Sequence, residues 1–196
     1  MPPAPQLKLS AEGFDLIAEC KLNSPSAGDL SSHTTDVQGR VAAYGLGGAA
    51  AVSVLTEPSR FGGDLSHLTQ ASEVLAPFGV PTMRKDFLVE PYQVMEARVA
   101  GAGGVLVIAR MLNKTRITAL LDCAAMLQLF VLIEAFDGDD LQLINDVLSE
   151  RKNKKETILV GLNCRDLQSL KVNFERFAEL VEQLPAGYPK VAESGV

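Results

Sequence analysis

The sequence predicts an α/β protein of the (β/α)8 TIM-barrel class, with seven βα-type strands contained in its 196 residues. Three observations carry this. Short apolar runs recur along the whole chain, their centres near residues 17, 52, 82, 106, 132, 160 and 191, a spacing of about 25 to 35 residues that suits βα units. Segments of helical periodicity lie between them, and polar residues close almost every apolar run.

The runs are "FDLIAEC", "AAAVSVL", "VPTMRK", "GVLVIA", "LFVLIEA", "TILVGLN" and "PKVAES". They are rich in Val, Ile, Leu and Ala, as strands buried on both faces are. Helical periodicity is clearest in "PYQVMEARVAGAG", "DLQLINDVLSERKNKK" and "NFERFAELVEQL". The last opens on Asn173 as an N-cap and stops before Pro185 and Gly187. "YGLGGAAAVSVL" and "VAGAGGVLVIARM" repeat one pattern of helix end, glycine turn and strand. Their glycines precede a strand, whereas a dinucleotide fingerprint follows one, so they read as helix C-caps.

Such an alternation fits an open doubly wound sheet or a closed barrel. The strand ends favour the barrel, whose mouth gathers the C-terminal ends of every strand. Those ends carry Glu19 and Lys21, Lys85, Glu134, Asn163 and Arg165, and Glu193 with Ser194. Alternate residues of a strand share a face, so Glu19 and Lys21 point together, and so do Asn163 and Arg165. One such charge is ordinarily a solvated surface group. Three carboxylates and two lysines at successive strand ends make an acid-base cluster, able to keep ammonium groups charged while leaving a carboxylate as a base. Cys20 and Cys164 fall on the other parity, as small core residues.

Composition bounds the partners. A formal net charge of −6 and the absence of basic clusters interleaved with aromatics argue against a nucleic-acid groove. No apolar run reaches membrane-spanning length, and "MPPAPQLKLS" lacks the regions of a signal peptide, so a soluble cytoplasmic protein with no membrane partner is expected. Three cysteines without a C-x-x-C pair fit a reducing compartment and give no zinc site. His33 and His67 stand away from the strand ends, in surface or cap roles. No metal is expected.

The stretches "IAECKLNSPSAG", "AVSVLTEPSRFGGDLSHL", "PTMRKDFLVEPYQVMEARVAGAGGVLVIARML", "VLIEAF", "VGLNCRDLQSLKVN" and "VAESGV" resemble, in order, those of the indole-3-glycerol-phosphate synthase family. "RKDF" beside a "YQ" helix, followed by "N-x-RDL" and "ESG", is a specific combination. The resemblance implies a lyase of tryptophan biosynthesis that closes, decarboxylates and dehydrates 1-(2-carboxyphenylamino)-1-deoxyribulose 5-phosphate. It implies no metal or organic cofactor, and a small anionic phosphorylated substrate as partner. Fusion to or association with another tryptophan-pathway enzyme stays open. Lys85 would be the general acid and Glu134 the proton-transfer partner in dehydration. Glu19, Lys21, Asn163 and Glu193 would orient the substrate and stabilise its charge. Ser24, Pro25, Arg165, Leu167, Ser194 and Gly195 would contact the substrate, with Ser24, Arg165, Ser194 and Gly195 on its carboxylate or phosphate side, and Phe61, Phe87 and Leu106 would line the aromatic pocket.

Leu22 and Ala27 stand where the family usually has basic residues, and Cys164 where it often has Asn. Residues 1–14 read as a short polar lead and 15–196 as a synthase barrel lacking the N-terminal helical extension and the eighth βα unit, with unpaired edges at its first and seventh strands. Two alternatives remain: a catalytically silent fragment needing a further segment or chain, and another phosphate-binding barrel, such as a sugar-phosphate isomerase.

Overall fold

The structure is a computed structural model and describes residues 4–24, 28–29, 36–151, 156–165 and 172–194. Seven parallel strands form one sheet in the order β1 (Ile17–Cys20), β4 (Ala51–Leu55), β5 (Thr82–Lys85), β6 (Gly104–Ile108), β7 (Phe130–Ala135), β8 (Ile158–Asn163) and β9 (Lys190–Glu193). Each coincides with one of the apolar runs. The short strands β2 (Asn23–Ser24) and β3 (Gly28–Asp29) pair antiparallel just beyond β1.

Helices follow the strands: α1 (Val37–Leu46), α2 (Pro58–Phe61), α3 (Leu65–Leu75), α4 (Pro91–Val99), α5 (Lys114–Met126), α6 (Gly138–Glu150) and α7 (Phe174–Leu180). Their starts are set by side chains that accept the first free backbone N–H groups. Asp137 caps α6 by accepting from Asp140 N at 3.1 Å, and Asn173 caps α7 by accepting from Glu175 N at 3.0 Å. α6 then buries Leu141, Ile144, Val147 and Leu148, one stripe of its surface. α7 is shorter than its periodicity suggested, because Val181–Gln183 tightens into a 3-10 turn before Pro185. Both repeats of helix end, glycine turn and strand are present: Gly48 lies between α1 and β4 and Gly101 between α4 and β6, each at positive φ.

Strand parity divides the interior into two layers. Outward residues, among them Val52, Val54, Val105, Val107, Ile133, Val160 and Leu162, pack with the helices. Inward residues Ala51, Met83, Leu106, Phe130, Leu132 and Leu159 form a second cluster inside the curl, joined by Leu7 of the N-terminal lead. The lead lies across the N-terminal ends of the strands, where Gln6 Nε2 donates to Gln128 O.

The sheet is strongly curled. In a flat sheet β5 and β9 would lie about 19 Å apart, four strand spacings. Instead Lys85 Nζ on β5 comes within 3.6 Å of Glu193 Oε2 on β9. Only a barrel-like curvature brings these ends together.

Inside the curl, Gly104 has no room for a side chain, since a Cβ there would meet the Phe130 ring at 2.4 Å. An aromatic ring wedged in a core has nowhere to go. Gly104→Ala is therefore expected to destabilise the fold by about 1–3 kcal/mol through overpacking, read as a lower urea midpoint at unchanged slope.

Candidate active site

The inward residues at the C-terminal strand ends converge as charges. Glu19 on β1 pairs with Lys21 through Oε1 and with Lys85 Nζ through Oε2, the latter at 3.2 Å. The Lys85 ammonium thus lies between Glu19 and Glu193, which come from the two edge strands of the sheet. On the adjoining wall, Asn163 Nδ2 donates to Glu134 Oε1 at 2.8 Å, and Arg165 N donates to Asn163 Oδ1 at 2.9 Å. Glu134, Asn163 and Glu193 are all buried, while the Lys85 side chain keeps 23% of its surface exposed.

Burial and pairing compete at each group. Burial alone would raise the Glu19 carboxyl, but Lys85 and Lys21 outweigh it and hold Glu19 below the usual range. Burial would lower the Lys85 ammonium, yet Glu193, Glu19 and Glu134 push it above its ordinary value. Lys85 therefore stays protonated at neutral pH. Glu193 is pushed up to about 8 by burial first and by the Glu134 charge second, with Lys85 opposing. At neutral pH Glu193 holds a proton.

Residues on the outer face aim these groups. Arg84, beside Lys85 but of opposite parity, is buried and donates to Glu96 Oε2 at 2.7 Å, Asp86 Oδ2 at 2.9 Å, Gln93 O at 3.0 Å and Thr56 Oγ1 at 3.2 Å. It clamps the end of β5 to α4. Gln93 adds a second tie, its Oε1 accepting from Glu90 N at 3.0 Å and Val89 N at 2.8 Å. The "RKDF" and "YQ" elements are thus one mechanical unit. Arg40 Nη1 donates to Lys21 O at 2.6 Å and Tyr44 OH to Glu19 O at 3.1 Å, which fixes the end of β1 to α1. Sequence reading passed over Arg84, although opposite charges two apart at Arg84 and Asp86 repeat the spacing of Glu19 and Lys21.

The other expected site residues spread around this centre. Phe61 ends α2 and is half-buried, whereas Phe87, two positions after Lys85, is exposed. Leu106 is buried in the inner cluster, one inward position below Ile108, which is level with Glu134. Ser194 follows Glu193 at φ 66°, turning the chain as β9 ends. Ser24 is described only as backbone of the β2–β3 hairpin; Pro25, Leu167, Gly195 and His33 lie outside the described residues. His67 sits in the first turn of α3. Cys20, Cys123 and Cys164 are buried free thiols. Among the described residues there is no group of three His, Cys, Asp or Glu able to hold a metal ion, and no helix long and apolar enough to cross a membrane.

A sequence model of the family described as indole-3-glycerol phosphate synthase matches residues 4–196. The chain belongs to the indole-3-glycerol phosphate synthase family. Curated relatives of that name include one from Beutenbergia cavernae, 43% identical over 94% of this chain and 64% of the relative. Another, from Parafrankia sp., is 41% identical over 96% of this chain and 66% of the relative. The chain thus spans just under two thirds of the length of these relatives. Solved structures share the architecture at low identity. Thiamine phosphate pyrophosphorylase from Pyrococcus furiosus has a TM-score of 0.55 at 15% identity, over 83% of this chain and 70% of that one. Triosephosphate isomerase from Bartonella henselae has a TM-score of 0.51 at 14% identity, over 85% and 72%. With the family, they establish the (β/α)8 class to which the seven-stranded curled sheet belongs.

The proton on Glu193 has a consequence for stability. From about pH 4.5, the ordinary carboxyl value, to about pH 8 the folded chain retains a proton that the unfolded chain has released. Glu193 therefore favours folding fully below that window, and its contribution is lost as pH rises through it. Glu193→Gln removes the titration. The melting temperature of the variant relative to the parent should rise between about pH 5 and 8 and level off above, measured by thermal melts across that range.

Proposed function

We propose that this chain carries the active site of an indole-3-glycerol phosphate synthase, a carboxy-lyase of tryptophan biosynthesis. The substrate would be 1-(2-carboxyphenylamino)-1-deoxyribulose 5-phosphate, which loses carbon dioxide and water as the indole ring closes. The observation that carries the reading is the Lys85 ammonium, held charged between Glu19 and Glu193 at the barrel mouth.

The ring carbon bearing the carboxylate attacks the ketone carbon of the ribulose chain, and the new C–C bond places charge on the ketone oxygen. An acid is needed there. Lys85 is charged, partly exposed and fixed by Arg84 behind it, which supports its giving a proton to that oxygen. Loss of carbon dioxide returns the bonding electrons to the ring. The hydroxyl left by the former ketone must then depart as water, while the nitrogen-bearing side loses a proton. Glu134 is buried, aligned by Asn163 and near enough to raise the Lys85 ammonium, which supports its taking part in this transfer. Glu19, Lys21, Asn163 and Glu193 would orient the substrate and balance its charge.

At the rim, Ser194, Arg165 and the hairpin bearing Ser24 would meet the carboxylate or phosphate, and Pro25, Leu167 and Gly195 are proposed as further substrate contacts. Phe61 and Phe87 would receive the aromatic ring above Leu106. The reaction is redox-neutral and its proton transfers fall to side chains, so this reading assigns no cofactor. We place it in a reducing cytoplasm, in keeping with the three free thiols.

Lys85→Met should lower turnover by about 10²- to 10⁴-fold while leaving the thermal melt cooperative. Turnover is followed as indole fluorescence at saturating substrate. Retention of more than about a tenth of the parent rate, a loss under about 1.4 kcal/mol, would move the chemistry elsewhere.

Glu134→Gln keeps the shape and the Asn163 contact but cannot exchange a proton. It should reduce kcat far more than it raises KM, and single-turnover kinetics should show dehydration slowed and ring closure spared. Unchanged rates for both steps would leave Glu134 a structural acid.

A further inference from the structure

Gly161 lies in the middle of β8, level with Glu134 on one side and Val191 on the other. Glycine weakens a strand interior and commonly marks a close approach by another group. Here that group is Glu193. A Cβ built on Gly161 would stand 2.1 Å from Glu193 Oε1 and 3.1 Å from both Glu193 Cδ and Leu132 Cδ1. The carboxyl of Glu193 therefore lies across β8 in the space a side chain would fill.

The two carboxyl oxygens divide the work. Oε2 faces the Lys85 ammonium at 3.6 Å, while Oε1 is turned onto Gly161, buried and without a hydrogen-bond partner among the described residues. The backbone of Glu193 cannot shift to relieve a crowded slot, since its carbonyl accepts from Cys164 N at 3.0 Å and β9 is paired in register with β8. Only the side chain is free to answer.

We infer that Gly161 is a positioning residue for Glu193: its missing Cβ is the slot that folds the Glu193 carboxyl down against β8, beside Lys85 and out of the open mouth. At Gly104 the neighbour is a confined ring and an added methyl costs stability, but at Gly161 it is the far end of a flexible side chain. A methyl there is cheap for the fold and expels the carboxyl. Expulsion brings the carboxyl toward water and rearranges its contact with Lys85, where Glu19 and Glu134 also face it from β1 and β7.

The experiment compares the parent with Gly161→Ala, Glu193→Asp and the double variant. Carbon-13 NMR follows the Glu193 carboxyl without substrate, and in Gly161→Ala its titration should move down by at least about one unit toward the ordinary carboxyl range. Turnover, which rests on the synthase reading, should fall about 10- to 100-fold in kcat for Gly161→Ala. In the Glu193→Asp background the shorter side chain leaves the slot open, so adding Gly161→Ala should cost less than about twofold. Should Gly161→Ala alone fail to fold, Glu193→Asp should restore its cooperative melt. An unmoved titration in a folded Gly161→Ala, an equal kcat loss in both backgrounds, or a melt that Glu193→Asp does not restore overturns the inference. If the parent itself shows no synthase turnover, that reading falls alone, and the titration still decides the role of Gly161.

Discussion

The arrangement depends on one half-buried ammonium group. A lysine taken into a barrel interior needs compensating negative charge, because burial of an unpaired ion costs several kcal/mol. Glu19 supplies it from β1, with the Glu193 carboxyl close by on β9; these strands are the two edges of the sheet, and Lys85 stands on β5 between them. The ion pairs form only if the sheet is curled, and the curl requires small and apolar inward residues beneath them. Ala51, Gly104, Leu106 and Leu132 meet that requirement.

Three carboxylates and two ammonium groups cannot all be ionised without leaving a surplus negative charge in a poorly solvated space. The surplus falls on the buried carboxyl with the poorest hydrogen bonding. That is Glu193, whose Oε1 has no hydrogen-bond partner among the described residues and whose proton the Glu134 charge favours. A proton kept there leaves Glu19, at 3.2 Å, as the charged partner of Lys85. The approach of Lys85 Nζ to Glu193 is looser, at 3.6 Å.

Much of the machinery lies behind the site. Arg84 gathers β5, α4 and the turn after β4 into one block, and Arg40 with Tyr44 does the same for β1 and α1. A second strut runs from β6 to β7, where Arg110 pairs with the buried Asp140 at 2.8 Å and stacks over Phe136 at 4.4 Å from the ring centre. Each clamp ties a strand end to a helix or a neighbouring loop. Side chains at strand ends are otherwise free to swing, and a misplacement of an ångström is costly in catalysis.

The order of apolar runs by itself determined the strands, and the period-two parity at Glu19, Lys21, Lys85, Glu134, Asn163 and Glu193 determined which charges face inward. These are local properties, set by backbone geometry within a few residues. The hairpin after β1 and the early end of α7 escaped the sequence, because two-residue strands and 3-10 turns leave almost no periodic signal. Only the tertiary structure decided which charges meet. Lys85 and Glu193 are more than a hundred positions apart in the chain and four strands apart in the sheet, and no spacing rule connects them. Nor does the sequence distinguish Gly104 from Gly161. Each is a glycine inside an apolar run, and only the packed barrel puts a rigid ring against one and a flexible carboxyl against the other.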